Sequence, residues 1–355
     1  MTRSRSIVPI ATALVILTFV AACSSGSGSA APSAAAPTAA APTAAAPSVA
    51  APSAAASVAA AAKTYKDMTV GFIQTGSEGG WRAANTASFK DEAKKLGLNL
   101  KFYDAQNKLE NQLAAFRQFI ADPEVNVIIL AALAAAGWDD VLKEAKAKGK
   151  TVVIQDRRID SASDLYATYI GSDFTEEGRK AGKEMCNLLK DSAKKNVVQL
   201  EGNVGSSPQI DRGKGFKEEA DKCGITVTQS QTAEWDAKKG KAVMAAFLNK
   251  SKDIQGVFGQ NDEMGIGAAQ AITEAGLKPG TGVKIITVDA TKGAFQAMID
   301  GIINTAVECN PLLAPQVYKA ALAALNGEKL PEWIKSEESI FFAADAAKIL
   351  PTRAY

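Results

Sequence analysis

The sequence predicts an α/β protein of two doubly wound parallel-sheet domains. Three observations predict it. From Met68 onward, short β-branched runs alternate with amphipathic helical stretches. The alternation runs through two successive series of about five strands each. Glycines close the helices at Gly97, Gly149, Gly224 and Gly276, where a C-cap needs positive φ. Strand–helix–strand repetition with short connections requires parallel pairing, with helices on both faces of each sheet.

In order, strand-like runs fall at 68–74, 98–103, 126–131, 151–155 and 166–170, and a second series at 196–201, 225–230, 255–259, 283–288 and 303–307. The helical patterns between them span 81–96, 110–121, 138–148, 176–190, 210–222, 237–250, 264–275 and 292–300. Just under 300 residues follow Lys63, a length that suits two domains.

What precedes this region is not part of a fold. Arg3 and Arg5 form a basic start, residues 7–20 are apolar but short for a membrane span, and Val20-Ala21-Ala22 offers small residues for cleavage before Cys23. A cysteine placed there resembles the bacterial lipobox, whose thiol is acylated and becomes the mature N-terminus. Cys23 is therefore the expected lipidation site, with residues 1–23 a lipoprotein signal. The expected location is extracytoplasmic, anchored to the cell membrane. Residues 24–62 are almost wholly Ala, Ser, Pro, Thr and Gly, with Pro32, Pro37, Pro42, Pro47 and Pro52 spaced by five. Proline at that spacing prevents a helix, so the segment reads as a disordered tether.

Composition excludes several functions. Lys and Arg total 40 against 38 Asp and Glu, with no basic block for nucleic acid. The chain has no histidine, which removes Ser-His and Cys-His catalysis, the common zinc sites and a histidine pH switch. Gly149-Lys150-Thr151 mimics a phosphate loop, but Glu144 stands where the motif needs glycine; Gly265-Ile266-Gly267 lacks the third glycine of a dinucleotide fingerprint. No metal or cofactor is expected, and no enzyme activity. Cys186, late in one predicted helix, and Cys223, at the end of the next, are the candidate disulfide pair, leaving Cys309 a free buried thiol.

Ligands of open parallel sheets bind beyond the carboxyl ends of the strands. After the first strand come Glu78, Trp81 and Arg82, and after the fourth Asp156 and Arg157. In the second series the corresponding residues are Arg212, Trp235, Asn261, Asp289 and Glu308. Carboxylates accept hydroxyl hydrogens, Arg and Asn donate in fixed geometry, and Trp faces cover C–H surfaces, a combination that suits a small sugar. Trp138 and Trp333 read as packing residues.

These segments also resemble a known family. Gly76-Ser77-Glu78-Gly79-Gly80-Trp81-Arg82 is similar to the N-terminal signature of galactofuranose-binding proteins of ABC importers. Glu110-Asn111-Gln112, Gly137-Trp138, Asp156-Arg157, Ile210-Asp211-Arg212-Gly213, Asn261-Asp262-Glu263-Met264 and Glu274-Ala275-Gly276-Leu277 continue the resemblance over 66–355. It implies the type I periplasmic binding fold, with lobes at 66–171 plus 309–336 and 172–308 plus 337–355. A three-strand hinge would lie near 171–173, 307–309 and 336–338. It also implies ligand contact by Glu78, Trp81, Arg82, Asp156, Arg157, Arg212, Trp235, Asn261 and Asp289, with Glu308 at the hinge. The expected partners are a small sugar, an ABC importer permease and the membrane through Cys23, with no nucleic acid, and a monomer is expected. A sensory lipoprotein that reports the sugar to a receptor kinase or chemoreceptor is the alternative reading. The sequence departs from the family at Ala131-Ala132, Trp235 and Cys309-Asn310, which leaves the identity of the sugar open among pentoses and hexoses.

Overall fold

A computed structural model describes residues 61–355. Cys23, the segment before it and the proline-spaced stretch through residue 60 lie outside the described residues. Among the described residues no helix is long and apolar enough to cross a membrane.

The first half runs β1 (Thr69–Gln74), α1 (Gly80–Leu96), β2 (Asn99–Asp104), α2 (Leu109–Ala121), β3 (Val127–Leu130), α3 (Asp139–Ala147), β4 (Thr151–Gln155) and β5 (Thr168–Gly171). The second runs α4 (Phe174–Leu188), β6 (Asn196–Glu201), α5 (Ser207–Lys222), β7 (Thr226–Thr232), α6 (Ala237–Lys250), β8 (Gly256–Gly259), α7 (Asp262–Glu274), β9 (Lys284–Asp289), α8 (Lys292–Ile299) and β10 (Thr305–Glu308). The chain ends with α9 (Ala314–Leu325), β11 (Trp333–Lys335), β12 (Ile340–Phe342) and α10 (Ala346–Ile349).

Two six-stranded sheets result, ordered β11-β5-β4-β3-β1-β2 and β12-β10-β9-β8-β6-β7. All ladders are parallel except β10 with β12. The ten expected strands are present, and β11 and β12 add one edge strand to each sheet. At three residues each, these two are too short to show an alternation in sequence. Helix α9 is also absent from the sequence reading, although Pro315 in its first turn and the buried Val317, Tyr318 and Ala321 mark it. The chain passes between the sheets three times: after β5, after β10 and between β11 and β12.

Strand β3 is buried along its whole length, as expected for a central parallel strand covered on both faces. Each sheet is packed between helices over its own apolar clusters: Phe72, Phe89 and Tyr318 on one face of the first, Phe116 and Trp138 on the other, Phe216 with Phe258 and Met244 with Phe295 in the second. Trp138 is fully buried, but Trp333 is not a core residue. It remains 41% exposed, stacked on Tyr169 with its N–H donating to Gly171 O at 3.0 Å. Cys186 and Cys223 are joined as a disulfide that ties α4 to the end of α5, and Cys309 is free and buried.

One packing contact matters directly for the site. Helices α4 and α5 approach backbone to backbone, since a Cβ on Gly178 would lie 2.2 Å from Arg212 O and one on Gly215 would lie 2.0 Å from Thr175 O. That closeness brings Arg212 of α5 onto Glu177 of α4.

Candidate functional site

Both sheets turn the carboxyl ends of their strands toward a common cleft, in which the side chains leave a cavity of about 30 Å³. Its lining comprises Glu78, Trp81, Arg82, Asp156 and Arg157 from the first sheet's loops and Arg212, Trp235, Asn261 and Asp289 from the second's. Nine of the ten sequence-predicted contact residues are thus brought together.

Glu308 is not among them. Although it ends β10, its carboxylate accepts from Arg353 Nη1 at 2.7 Å, Tyr355 OH at 3.1 Å and Ser339 N at 3.0 Å. A strand reverses its side-chain direction at each residue, so the next position, Cys309, lines the cleft instead. The C-terminal segment that claims Glu308 is distant in sequence, and no local pattern announces it.

On the first side, Trp81 and Arg82 occupy the first turn of α1. The Trp81 indole N–H donates to Cys309 O at 2.7 Å, and Arg82 lies over the Trp81 ring at 4.7 Å. Arg82 donates to the Asp156 carboxylate in a short buried ion pair, and Arg157 Nη2 donates to Glu78 Oε2 at 2.7 Å. Asp156 holds φ near +63°, a left-handed conformation in which Asp is among the better tolerated residues. Burial opposes the Arg82 charge, but Asp156 and Glu78 raise its pKa overall, so the guanidinium stays cationic.

On the second side, Arg212 Nε donates to Glu177 Oε2 at 2.7 Å and its Nη1 to Gln260 O at 2.7 Å; Asp289 lies 3.7 Å away. Burial pushes the Asp289 carboxyl well above its ordinary value, against the pull of Arg212. The Trp235 ring lies against Gly202, where a Cβ would come within 1.7 Å of it, and has Arg157 and Arg212 each 5.7 Å from its centroid. Asn261 caps α7 through Oδ1, accepting from Met264 N at 3.0 Å, while its amide N–H donates to Trp235 O at 3.1 Å. Asn261 therefore has both a capping role and a place in the cleft.

Sequence reasoning missed several supporting residues. Glu177, 1% exposed, sits on the buried stripe of α4 with Phe174, Ala181 and Met185, and a glutamate on an apolar stripe is the signal that finds it. Asn203 Nδ2 crosses from the second lobe to Glu78 Oε1 at 2.9 Å. Glu338, between β11 and β12, accepts from Ser172 Oγ and from Asn310 N at 3.1 Å, bonding it to the other two crossing segments. Burial, with Glu177 alongside, pushes its carboxyl up to about 9.

The cleft contrasts donors in surplus with nearly cancelling charge. Each of the three guanidinium groups has an acidic partner, Arg82 with Asp156, Arg157 with Glu78 and Arg212 with Glu177 behind the cleft, so no excess charge selects an ion. Yet Arg82 Nε, Arg157 Nε and Nη1 and Trp235 Nε1 are buried without a hydrogen-bond partner. Native proteins leave few such donors, because each costs about 1–3 kcal/mol.

The sequence profile of the periplasmic binding protein domain matches residues 70–329. The chain belongs to the periplasmic binding protein family. Among relatives of this binding protein, the galactofuranose-binding protein YtfQ of Escherichia coli (strain K12) is 41% identical over 288 residues, covering 79% of this chain and 89% of its own. A solved Mycobacterium smegmatis structure in complex with β-D-fucofuranose is 45% identical with a TM-score of 0.79, covering 81% of this chain and 95% of that one. The periplasmic binding component of the arabinose ABC transporter from Shewanella sp. ANA-3, bound to α- and β-L-arabinofuranose, is 42% identical with a TM-score of 0.77, covering 81% and 96%. The two-sheet architecture of this binding protein is the one these structures share, and the relatives are solute-binding proteins rather than enzymes.

Proposed function

We propose that this binding protein captures a monosaccharide in its furanose form, with galactofuranose favoured, and delivers it to an ABC importer. The observation that carries the reading is the set of unpartnered buried donors, Arg82 Nε, Arg157 Nε and Nη1 and Trp235 Nε1, converging beside three carboxyls in a cleft of nearly balanced charge. Ring and hydroxyl oxygens of a neutral sugar accept from those donors, its hydroxyl hydrogens go to the carboxyls, and the two indoles cover its C–H faces. Galactofuranose, fucofuranose and arabinofuranose, the sugars named for the three relatives above, share the five-membered ring. The ligand contacts on this reading are Glu78, Trp81, Arg82, Asp156, Arg157, Arg212, Trp235, Asn261 and Asp289. Closure of the two lobes about the three crossing segments buries the sugar, and the importer recognises the closed form.

Anchoring through Cys23 completes the reading, supported by the Val20-Ala21-Ala22-Cys23 run. A Cys23→Ala variant recovered in the soluble fraction, against membrane-bound wild type, is the expected result. The sugar reading is tested by thermal unfolding against galactofuranose, fucofuranose, arabinofuranose and pyranose-locked controls, followed by calorimetry. Ligand at a hundredfold its Kd adds about 2.7 kcal/mol of stability. A furanose-specific shift supports the proposal; stabilisation by pyranose-locked sugars alone, or by none of the panel, overturns it.

A further inference from the structure

We propose that Glu263 is a positioning residue that latches the two lobes: from the second lobe it caps helix α1 of the first, and so holds Trp81 and Arg82 at the ligand. The inference rests on the reading of the cleft as the sugar site, and it adds a residue that does not line that cleft.

Helix α1 begins in an unusual way. Its N-cap is Gly79 and its first residue Gly80, so its own segment offers no side-chain oxygen to the free amides of the first turn. Ser, Thr, Asp or Asn ordinarily supply that oxygen. Here it comes from the other lobe: Gly80 N donates to Glu263 Oε1 at 2.7 Å, across 183 residues of sequence. A carboxylate is a favoured partner for a helix N-terminus, which carries partial positive charge. Glycine at position 79 serves the contact twice, since its φ is +88° and a Cβ there would stand 2.5 Å from Glu263 Oε1.

The second oxygen of Glu263 is tied to the cleft. Its Oε2 accepts from Asn261 Nδ2 at 3.0 Å, and the same amide donates to Trp235 O at 3.1 Å. A continuous chain of contacts therefore runs from the Trp235 loop through Asn261 and Glu263 to Gly80, and the next two residues of α1 are Trp81 and Arg82. Three further contacts bridge the lobes beside it: Asn203 with Glu78, Ala135 N with Gly205 O at 2.9 Å, and Arg158 with Asp211 at 3.3 Å. Asn203 holds Glu78 just ahead of α1 and Arg158 pairs with Asp211 on α5, but none of these three bonds to an amide of the first turn of α1. Opening the lobes returns both Glu263 and the first turn of α1 to water, so the cap exists only in the closed form.

The test compares Glu263→Ala and Glu263→Gln with wild type in two readouts. Amide hydrogen exchange of the first turn of α1, measured with and without galactofuranose, reports the cap directly. Calorimetry and stopped-flow dissociation report its effect on the sugar. Glu263→Ala is expected to speed exchange of the first turn about tenfold and leave β1 unaffected. It is also expected to weaken sugar binding three- to tenfold, chiefly through faster dissociation. Glu263→Gln keeps a carbonyl oxygen at the same reach and recovers most of the protection. Unchanged first-turn exchange in Glu263→Ala overturns the latch whether or not the protein binds galactofuranose. A wild type that ignores every furanose, with exchange still accelerated in Glu263→Ala, overturns the sugar reading and supports the latch.

Discussion

Replacing Glu338 by glutamine is expected to stabilise the protein at neutral and mildly alkaline pH and to do nothing at acid pH. Glu338 accepts from Ser172 and Asn310 while Glu177 stands beside it, and burial with that neighbouring carboxylate raises its pKa from an ordinary 4.5 to about 9. The folded protein therefore keeps a proton that the unfolded chain releases. Stability falls as pH rises between about 4.5 and about 9, by ~1.36 kcal/mol for each unit, and levels off above that window. At pH 7 the full shift corresponds to a loss of roughly 3 kcal/mol, and solvent at the half-buried side chain reduces it to about 2 kcal/mol. Glutamine is neutral throughout, retains an oxygen for Ser172 and Asn310 and offers an N–H to Glu177. For a folded region of nearly 300 residues, ~2 kcal/mol raises the unfolding midpoint by about 3 °C. Calorimetric melts of both proteins from pH 4 to 9 measure this. A midpoint difference between variant and wild type that stays constant across pH, or that is smaller at pH 7.5 than at pH 4.5, refutes the assignment of a protonated Glu338.

Three further outcomes follow from the site and its supports. Asp156→Ala strips a charged acceptor from the cleft and leaves Arg82 buried without its main partner, so sugar affinity should fall by at least about 2 kcal/mol, near thirtyfold, in titration calorimetry; unchanged affinity places the sugar elsewhere. Gly202→Ala drives a methyl into the Trp235 ring, which must lift from its seat between two arginines; a tenfold or greater loss of affinity with altered tryptophan fluorescence is expected, and a normal Kd shows that the indole position is not needed. Reducing the Cys186–Cys223 disulfide, which spans 37 residues, should cost about 2–4 kcal/mol in denaturant unfolding; an unchanged midpoint after verified reduction contradicts that contribution.

The sequence by itself determined the doubly wound order. The ten main strands and eight of the helices are legible because each carries a local signal: a β-branched run, an apolar stripe at helical spacing, or a glycine closing a turn. It also brought nine cleft residues within reach, since the carboxyl ends of parallel strands are defined by chain direction alone. What only the tertiary structure decided is the set of long-range partners. Glu308 ends its strand as expected, yet Arg353 and Tyr355 claim its carboxylate. Trp333 reads in sequence as a packing residue, yet β11 pairs with β5 at the sheet edge and leaves it 41% exposed. Glu177, Asn203 and Glu338 support the site through contacts with residues far along the chain, as does Glu263, whose helix-capping partner belongs to the other lobe. Periodicity reports which face of an element turns inward; it carries no information about which distant element will be packed there, and that choice fixes the protonation, orientation and closure of the site.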